Sequence, residues 1–206
     1  MTIKSLFTSA ACLALIACSG ADITPSIESL DTVNSTKTND ATSPTVKVEV
    51  NDETSPASCP QDQVITDVSV YSGDYMPAPS ENYASWHEAN GKRKGVVTLE
   101  SGLQYKIIKQ GVKNGPSPVG PQVIRANYHG YFPDGEVFDS SYERGQPLEY
   151  NANAFIKGWN EALTLMKPCS AWILYVPGDI AYGPRGRPGI PPNATLIFNM
   201  QLLEVK

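Results

Sequence analysis

The C-terminal half of the chain predicts an α+β domain, in which an antiparallel β-sheet forms a half-barrel wrapped around one short α-helix. Three observations support this prediction. Several segments alternate between apolar and polar residues, as half-buried strands do. A Pro-Asp-Gly turn separates two apolar runs. A single segment repeats its apolar residues at helical spacing.

The first strands of this sheet are predicted from residue 103 onward. Residues 103–107 alternate, and residues 123–128 are predicted to form a second strand that ends at His129 and Gly130. Residues 133–135 read Pro-Asp-Gly and lie between two short apolar runs. Because proline and glycine favour tight turns, this stretch predicts two antiparallel strands joined by a turn.

One amphipathic helix and two further strands complete the predicted domain. The helix follows from apolar residues at helical spacing: Phe155, Ile156, Trp159, Leu163 and Met166. Ala171–Val176 is apolar throughout and stops at a Pro-Gly pair, which is typical of a buried strand. The chain ends in an alternating segment whose large apolar residues share one face: Leu196, Phe198, Met200 and Leu202.

Charge and composition separate the chain into unlike parts. Residues 19–58 carry seven acids against two lysines and are rich in Ser, Thr, Asn and Pro. Such a stretch has too little apolar surface to offset its chain entropy, so residues 18–60 are predicted to form a flexible acidic tether. Residues 95–206 hold ten basic and nine acidic side chains. With no basic stripe to neutralise phosphates, nucleic acid is excluded as a partner.

Residues 1–17 have the pattern of an export signal. Lys4 precedes an apolar run that is too short to span a bilayer, which requires about 20 residues. The sequence Leu-Ile-Ala-Cys ending at Cys18 resembles a bacterial lipobox and implies cleavage before Cys18 and lipidation of that cysteine. Ser19 provides no retention signal of the aspartate type, which favours an envelope protein anchored in the outer membrane and facing the periplasm. An ordinary secretory signal with an incidental cysteine is the alternative.

Residues 61–94 form an N-terminal extension whose role the sequence leaves open. Residues 81–90 could form a short helix, with Ser80 as its N-cap and Gly91 at its end. The extension precedes the proposed domain of residues 95–206.

Five blocks in the C-terminal half resemble the FKBP-type domain, in the family's order and spacing. They are the Tyr-His-Gly block at 128–130, the Gly-Glu-Val-Phe-Asp-Ser-Ser block at 135–141, the Ile-Lys-Gly-Trp block at 156–159, the Ala-Tyr-Gly block at 181–183 and the Pro-Gly-Ile-Pro-Pro-Asn-Ala-Thr-Leu block at 188–196. The segments at 101–105 and 142–148 look most like the macrophage infectivity potentiator group of bacterial envelope members. The resemblance implies peptidyl-prolyl cis/trans isomerisation, with proline-containing exported polypeptides as substrates, macrolides as inhibitors and no cofactor or metal.

The resemblance also implies the site residues. The catalytic set is Tyr128, Phe138, Asp139, Trp159, Tyr182 and Phe198. The substrate-binding set is Leu148, Phe155, Ile156, Ile190 and Arg144. In this assignment Trp159 is the floor under the proline ring, and Tyr182 donates its hydroxyl to the substrate carbonyl. Asp139 is the polar group nearest the turning amide, and Arg144 pairs with Asp139.

Two positions depart from the common family pattern. Leu148 stands where an aromatic residue is frequent, and Arg187 adds positive charge beside the site. A non-catalytic chaperone or partner-binding lipoprotein with the same pocket is the alternative function. Because residues 19–80 show no long dimerising helix, we expect a monomer.

Cys59 and Cys169 are predicted to form a disulfide. Cys12 lies in the signal and Cys18 should carry lipid, so the exported chain keeps these two other thiols. An oxidising envelope favours their pairing. Two unpaired cysteines, or pairing with another chain, are the alternatives.

Overall fold

The computed structural model describes residues 57–74 and 83–206 of the chain. The lipobox, Cys18, residues 1–56 and the proposed cap Ser80 lie outside the described residues. The described part forms seven strands: β1 (Val96–Thr98), β2 (Gln104–Lys109), β3 (Val123–Tyr131), β4 (Val137–Ser140), β5 (Leu148–Asn151), β6 (Ala171–Val176) and β7 (Leu196–Val205). Its two α-helices are α1 (Tyr83–Gly91) and α2 (Lys157–Leu165), and neither is long and apolar enough to cross a membrane.

The strands form one antiparallel sheet with the order β1-β2-β6-β7-β3-β4, and β5 also pairs with β3. Two partners therefore share one edge of β3. β4 pairs with its C-terminal end at His129–Tyr131, whereas β5 pairs with its N-terminal end at Val123–Ala126. The gap between the two partners lies at Tyr128, where the chain that links β4 to β5 leaves the sheet. This gap places the β4–β5 loop beside the inner face of the sheet.

β2, β6, β7 and the turn before β4 lie where the sequence predicted them. β3 differs, because it continues through Gly130 to Tyr131 instead of stopping at His129. Gly130 stays in the strand because its missing side chain leaves room for the rings of Phe138 and Phe198. β1 and β5 were not predicted, and both are short strands with mostly exposed or half-buried residues, so their apolar pattern is weak.

The inner face of the sheet packs on α2, as the half-barrel prediction requires. α2 buries Trp159, Ala162 and Leu163 on one side. The buried core around it includes large side chains from β3, β6 and β7: Ile124, Trp172, Leu174, Leu196, Met200 and Leu202. Full burial of one such side chain stabilises the fold by about 1.5–3 kcal/mol.

The extension covers the outer face of the same sheet. Every residue of β6 is buried, so its second face also needs a cover. Tyr71 and Trp86 from the extension provide it, since they form a second buried cluster with Ile173 and Tyr175 of β6. The Trp86 and Tyr175 ring centroids lie 5.9 Å apart. The extension is therefore a packing element of the sheet.

Hydrogen bonds fix α1 to β2. Asn90 donates from Nδ2 to Oε1 of the buried Gln104 at 2.8 Å, and Gln104 donates from Nε2 to the His87 carbonyl at 3.0 Å. His87 in turn donates from Nε2 to the Gly102 carbonyl at 2.8 Å. Burial lowers the pKa of His87, because a charged imidazole would lose hydration.

A disulfide joins Cys59 to Cys169, the pair that the sequence favoured, with their Cα atoms 4.8 Å apart. Ala57 and Cys59 lie within the range assigned to the tether, yet both hydrogen-bond to β7. The Cys59 amide donates to the Leu203 carbonyl at 2.6 Å, and the Val205 amide donates to the Ala57 carbonyl at 2.8 Å. The bridge and these bonds attach the start of the described chain to the end of the sheet.

Candidate active site

A cavity of about 610 Å³ opens on the inner face, between the start of α2 and strands β3, β4 and β7. Its lining residues are Tyr128, Phe138, Asp139, Leu148, Ala154, Phe155, Ile156, Lys157, Trp159, Ala181, Tyr182, Arg187 and Phe198. Trp159 is 4% exposed and forms the base of this cavity. Its ring meets Tyr128 at 5.2 Å and Phe198 at 5.0 Å, both edge-to-face. Within the described residues, its buried indole N–H has no hydrogen-bond partner.

Two aromatic rings, one from β4 and one from β7, form one wall of the cavity. Phe138 of β4 meets Phe198 of β7 edge-to-face at 5.5 Å. Phe138 also contacts Phe132, which does not line the cavity, with the two rings tilted and their centroids 5.0 Å apart. The Phe138 and Phe198 rings pack against Gly130, whose backbone pairs with Asp139 on one side and Phe198 on the other. Edge-to-face pairs at these distances hold the rings in fixed orientations. The wall is therefore apolar and pre-formed.

A carboxylate and two donors stand beside this wall. The Tyr128 hydroxyl donates to Oδ2 of Asp139 at 2.5 Å. Arg144 donates from Nη1 to Oδ1 of Asp139 and from Nη2 to the Tyr128 hydroxyl, the latter at 2.8 Å. The guanidinium therefore compensates the Asp139 charge. Burial, and next its bond to Asp139, raises the pKa of Tyr128 to about 12, so the phenol is a hydrogen-bond donor throughout the neutral pH range.

The gap at the edge of β3 produces this network. The Ser141 amide donates to the Tyr128 carbonyl at 2.9 Å, and the Tyr128 amide donates to the Ser141 hydroxyl at 2.9 Å. These two bonds turn the chain after β4 into the loop that carries Arg144. The loop thus brings the guanidinium back over the Tyr128 ring, 5.3 Å from its centroid.

The loop after β6 forms the opposite rim. Ala181 and Tyr182 face the cavity from this loop. The Arg187 guanidinium lies over the Tyr182 ring, 4.5 Å from its centroid. Arg187 and Ile190 pair through their backbones, with the Arg187 amide donating to the Ile190 carbonyl at 3.0 Å. This hairpin-like turn holds the arginine at the mouth of the cavity.

The structure gathers most of the residues assigned from the sequence. Nine of them line the cavity: Tyr128, Phe138, Asp139, Leu148, Phe155, Ile156, Trp159, Tyr182 and Phe198. Arg144 does not line the cavity but forms an ion pair with Asp139, which does. Ile190 differs, because its side chain is 4% exposed and packs in the core instead of lining the cavity. Ile190 lies in a turn between prolines, and the sequence of that turn does not indicate whether its side chain enters the core or lines the rim of the cavity.

Arg187, which the sequence pattern placed beside the site without an assigned role, also lines the cavity. Three further lining residues were not singled out from the sequence: Ala154, Lys157 and Ala181. Each is a direct neighbour of an assigned residue, which is the signal that could have found them. Among the described residues, no three His, Cys, Asp or Glu side chains come together as metal ligands would. The aromatic lining gives the cavity a surface that can bind an apolar ring against Trp159, and its polar groups can orient a carbonyl at the edge.

Two family models match the chain. The model described as FKBP-type peptidyl-prolyl cis-trans isomerase matches residues 115–203. The model described as the domain amino terminal to FKBP-type peptidyl-prolyl isomerase matches residues 78–107. The second match covers α1, β1 and much of β2.

Two curated relatives share this region. The peptidyl-prolyl cis-trans isomerase Mip of Coxiella burnetii is 47% identical over 128 residues, which cover 62% of the chain and 55% of that relative. The outer membrane protein MIP of Legionella longbeachae is 42% identical over 139 residues, covering 66% of the chain and 59% of the relative. The chain thus spans little more than half the length of these relatives.

A crystal structure of a peptidyl-prolyl cis-trans isomerase from Pseudomonas syringae pv. tomato is similar to the described fold. The TM-score is 0.55 at 30% identity, and the match covers 64% of this chain and 98% of that one.

Proposed function

Because the chain belongs to the family of FKBP-type peptidyl-prolyl cis-trans isomerases, we propose that it catalyses rotation about X–Pro bonds in exported polypeptides. The observation that supports this best is the cavity itself. It joins a Trp159 floor and a fixed aromatic wall to one carboxylate, Asp139, whose charge Arg144 compensates.

Such a cavity suits a reaction that needs no nucleophile. Rotation about a prolyl bond faces a barrier of about 18–20 kcal/mol, because amide resonance is lost in the twisted state. The twisted amide is less polar than the planar amide. An apolar, water-poor pocket therefore binds the twisted state better than the ground state and lowers the barrier.

The polar groups have separate roles in this proposal. The Tyr182 hydroxyl donates to the substrate carbonyl and holds it in the turned position. The first amides of α2 have no partner within the helix and add donors at the Ile156–Lys157 edge. The protonated Tyr128 hydroxyl and Arg144 orient Asp139 toward the rotating amide.

Phe138→Ala and Asp139→Ala test this function. A direct assay follows cis-to-trans relaxation of a proline tetrapeptide, with a pocket-blocking macrolide as control. Both variants should lose turnover, the first by opening the apolar wall and the second by removing the carboxylate. Circular dichroism checks that both remain folded. Unchanged turnover in two folded variants would contradict the assigned pocket, and macrolide binding without turnover in the parent chain would favour a binding module.

The same proposal extends to the location of the protein. We infer lipidation at Cys18 and an outer-membrane anchor facing the periplasm from the lipobox, with support from the relative named an outer membrane protein. Several acyl chains give a stable anchor, since each buried CH₂ contributes about 0.8 kcal/mol. Cys18→Ser should move the protein to the soluble fraction. A variant that stays acylated and membrane-bound would exclude this anchor.

A further inference from the structure

We propose that the mouth of the cavity selects substrates with an acidic side chain next to the proline, and that Arg187 is the residue that confers this preference. This inference rests on the proposed isomerase function and names its substrate class.

The charges that face the cavity are unbalanced. One lining residue is acidic, Asp139, and Arg144 already pairs with it. Two further lining residues, Lys157 and Arg187, are cationic. Within the described part of the chain, neither of these two cations forms an ion pair. The mouth of the cavity therefore carries two positive charges with no acidic partner of its own.

Arg187 is also held in a defined position. Its guanidinium lies 4.5 Å from the centroid of the Tyr182 ring, a distance at which a cation and an aromatic face attract each other. Its backbone is tied to Ile190 by hydrogen bonds in both directions, at 3.0 and 2.8 Å. An arginine that is stacked and tethered loses less side-chain freedom when it binds a carboxylate. Tyr182 is the proposed donor to the substrate carbonyl, so a carboxylate on Arg187 would lie close to the reacting bond.

The expected size of the preference for an acidic side chain follows from the solvent exposure of the two cations. Arg187 and Lys157 are both solvent-exposed, and exposed ion pairs contribute little because water screens them. We expect a glutamate next to the proline to raise kcat/KM about two- to fivefold over glutamine at low salt, with lysine disfavoured by a similar factor. Salt should weaken the preference, because the Debye length falls to about 3 Å at 1 M.

The test compares two peptide series in which Glu, Gln or Lys stands directly before or directly after the proline. In the series where the parent chain prefers Glu, the ratio of kcat/KM for the Glu peptide to kcat/KM for the Lys peptide should fall toward one in Arg187→Gln. Arg185→Gln is the matched control, because it removes the same charge from the same loop at an exposed residue that does not line the cavity. That control should keep the ratio of the parent chain.

Two outcomes would overturn the proposal. One is the absence of any preference for Glu over Lys in both series. The other is a preference that Arg187→Gln leaves as large as Arg185→Gln does. Peptide affinities measured by fluorescence anisotropy give the same Glu-to-Lys ratio without turnover. A chain that turns over no peptide but binds the Glu series more tightly through Arg187 would thus refute the isomerase function and keep the charge preference.

Discussion

Gly130→Ala is expected to damage the active site without removing any group that the chemistry uses. Gly130 lies in β3, between Asp139 of β4 and Phe198 of β7. A Cβ at this position would lie 2.7 Å from Cε2 and 2.8 Å from Cζ of Phe138, and 3.0 Å from Cε1 of Phe198. The two rings that form the aromatic wall would therefore have to move.

The size of the effect follows from these distances. Carbon atoms in contact prefer about 3.5–4.0 Å, so the Phe138 ring must shift by roughly 1 Å. Overpacking of this kind destabilises a fold by about 1–3 kcal/mol. A displacement of about 1 Å in a binding site can lower turnover up to about a hundredfold. We expect both losses in Gly130→Ala, with kcat/KM reduced at least tenfold.

Urea unfolding and the prolyl relaxation assay measure the two losses. Phe138→Leu supplies the matched background, because it removes the two ring atoms nearest the new Cβ. Gly130→Ala should lower the free energy of unfolding less in the Phe138→Leu background than in the parent chain. The difference should be at least about 1 kcal/mol, and a double-mutant cycle measures it as the coupling energy between the two positions. Parent-like stability and turnover in Gly130→Ala, or an equal loss in both backgrounds, would refute the close packing of β3 under Phe138.

Three further predictions concern the carboxylate, the disulfide and pH. Asp139→Ala should lower kcat/KM about ten- to a hundredfold, since hydrogen bonds to charged groups contribute about 1.5–3 kcal/mol. Asp139→Asn should recover part of the lost kcat/KM. Equal activity of the parent chain and both variants in the relaxation assay would contradict a role for the carboxylate. Reduction of the Cys59–Cys169 bridge, which closes a separation of 110 residues, should lower the free energy of unfolding by about 2–4 kcal/mol in urea melts; the double Ser variant should show the loss without reductant, and a parent chain insensitive to reductant would exclude the effect. Because burial lowers the pKa of His87 below its usual value near 6.5, the neutral form stabilises the fold fully above about pH 6.5 and this contribution is lost as pH falls below it; His87→Gln should flatten that part of the stability profile, and an unchanged profile would show that His87 does not contribute.

The sequence alone was sufficient for the inner half of the fold. Apolar period and turn chemistry predicted β2, β6, β7 and α2, because a strand or helix that packs on one core must repeat its apolar residues with the period of its own backbone. β1 and β5 escaped this reasoning. Short strands at the sheet edge bury few side chains, so neither strand shows a clear alternation of apolar and polar residues.

The cover of the outer sheet face could not be predicted from the local spacing of apolar residues. Tyr71 and Trp86 lie in a stretch whose role the sequence left open, yet both are buried against β6. Their burial depends on a sheet face that is formed by residues about 90 to 100 positions later in the chain. The spacing of apolar residues within a local segment carries no information about a partner so far away in sequence. The Cys59–Cys169 pairing could be favoured by elimination, but its Cα separation required the sheet that brings both segments together.

For the site, sequence determined the residue types and tertiary structure decided their relations. The five blocks carried Tyr128, Phe138, Asp139, Trp159 and Tyr182, whereas Phe155 and Phe198 lie just outside them. The gap at the edge of β3 is what brings Arg144 back onto Asp139 and Tyr128. The turn after β6 sends Ile190 into the core and leaves Arg187 at the mouth of the cavity. These choices depend on which backbone edges are free to hydrogen-bond and which space is already filled, and both are properties of the packed sheet, not of any local stretch of chain.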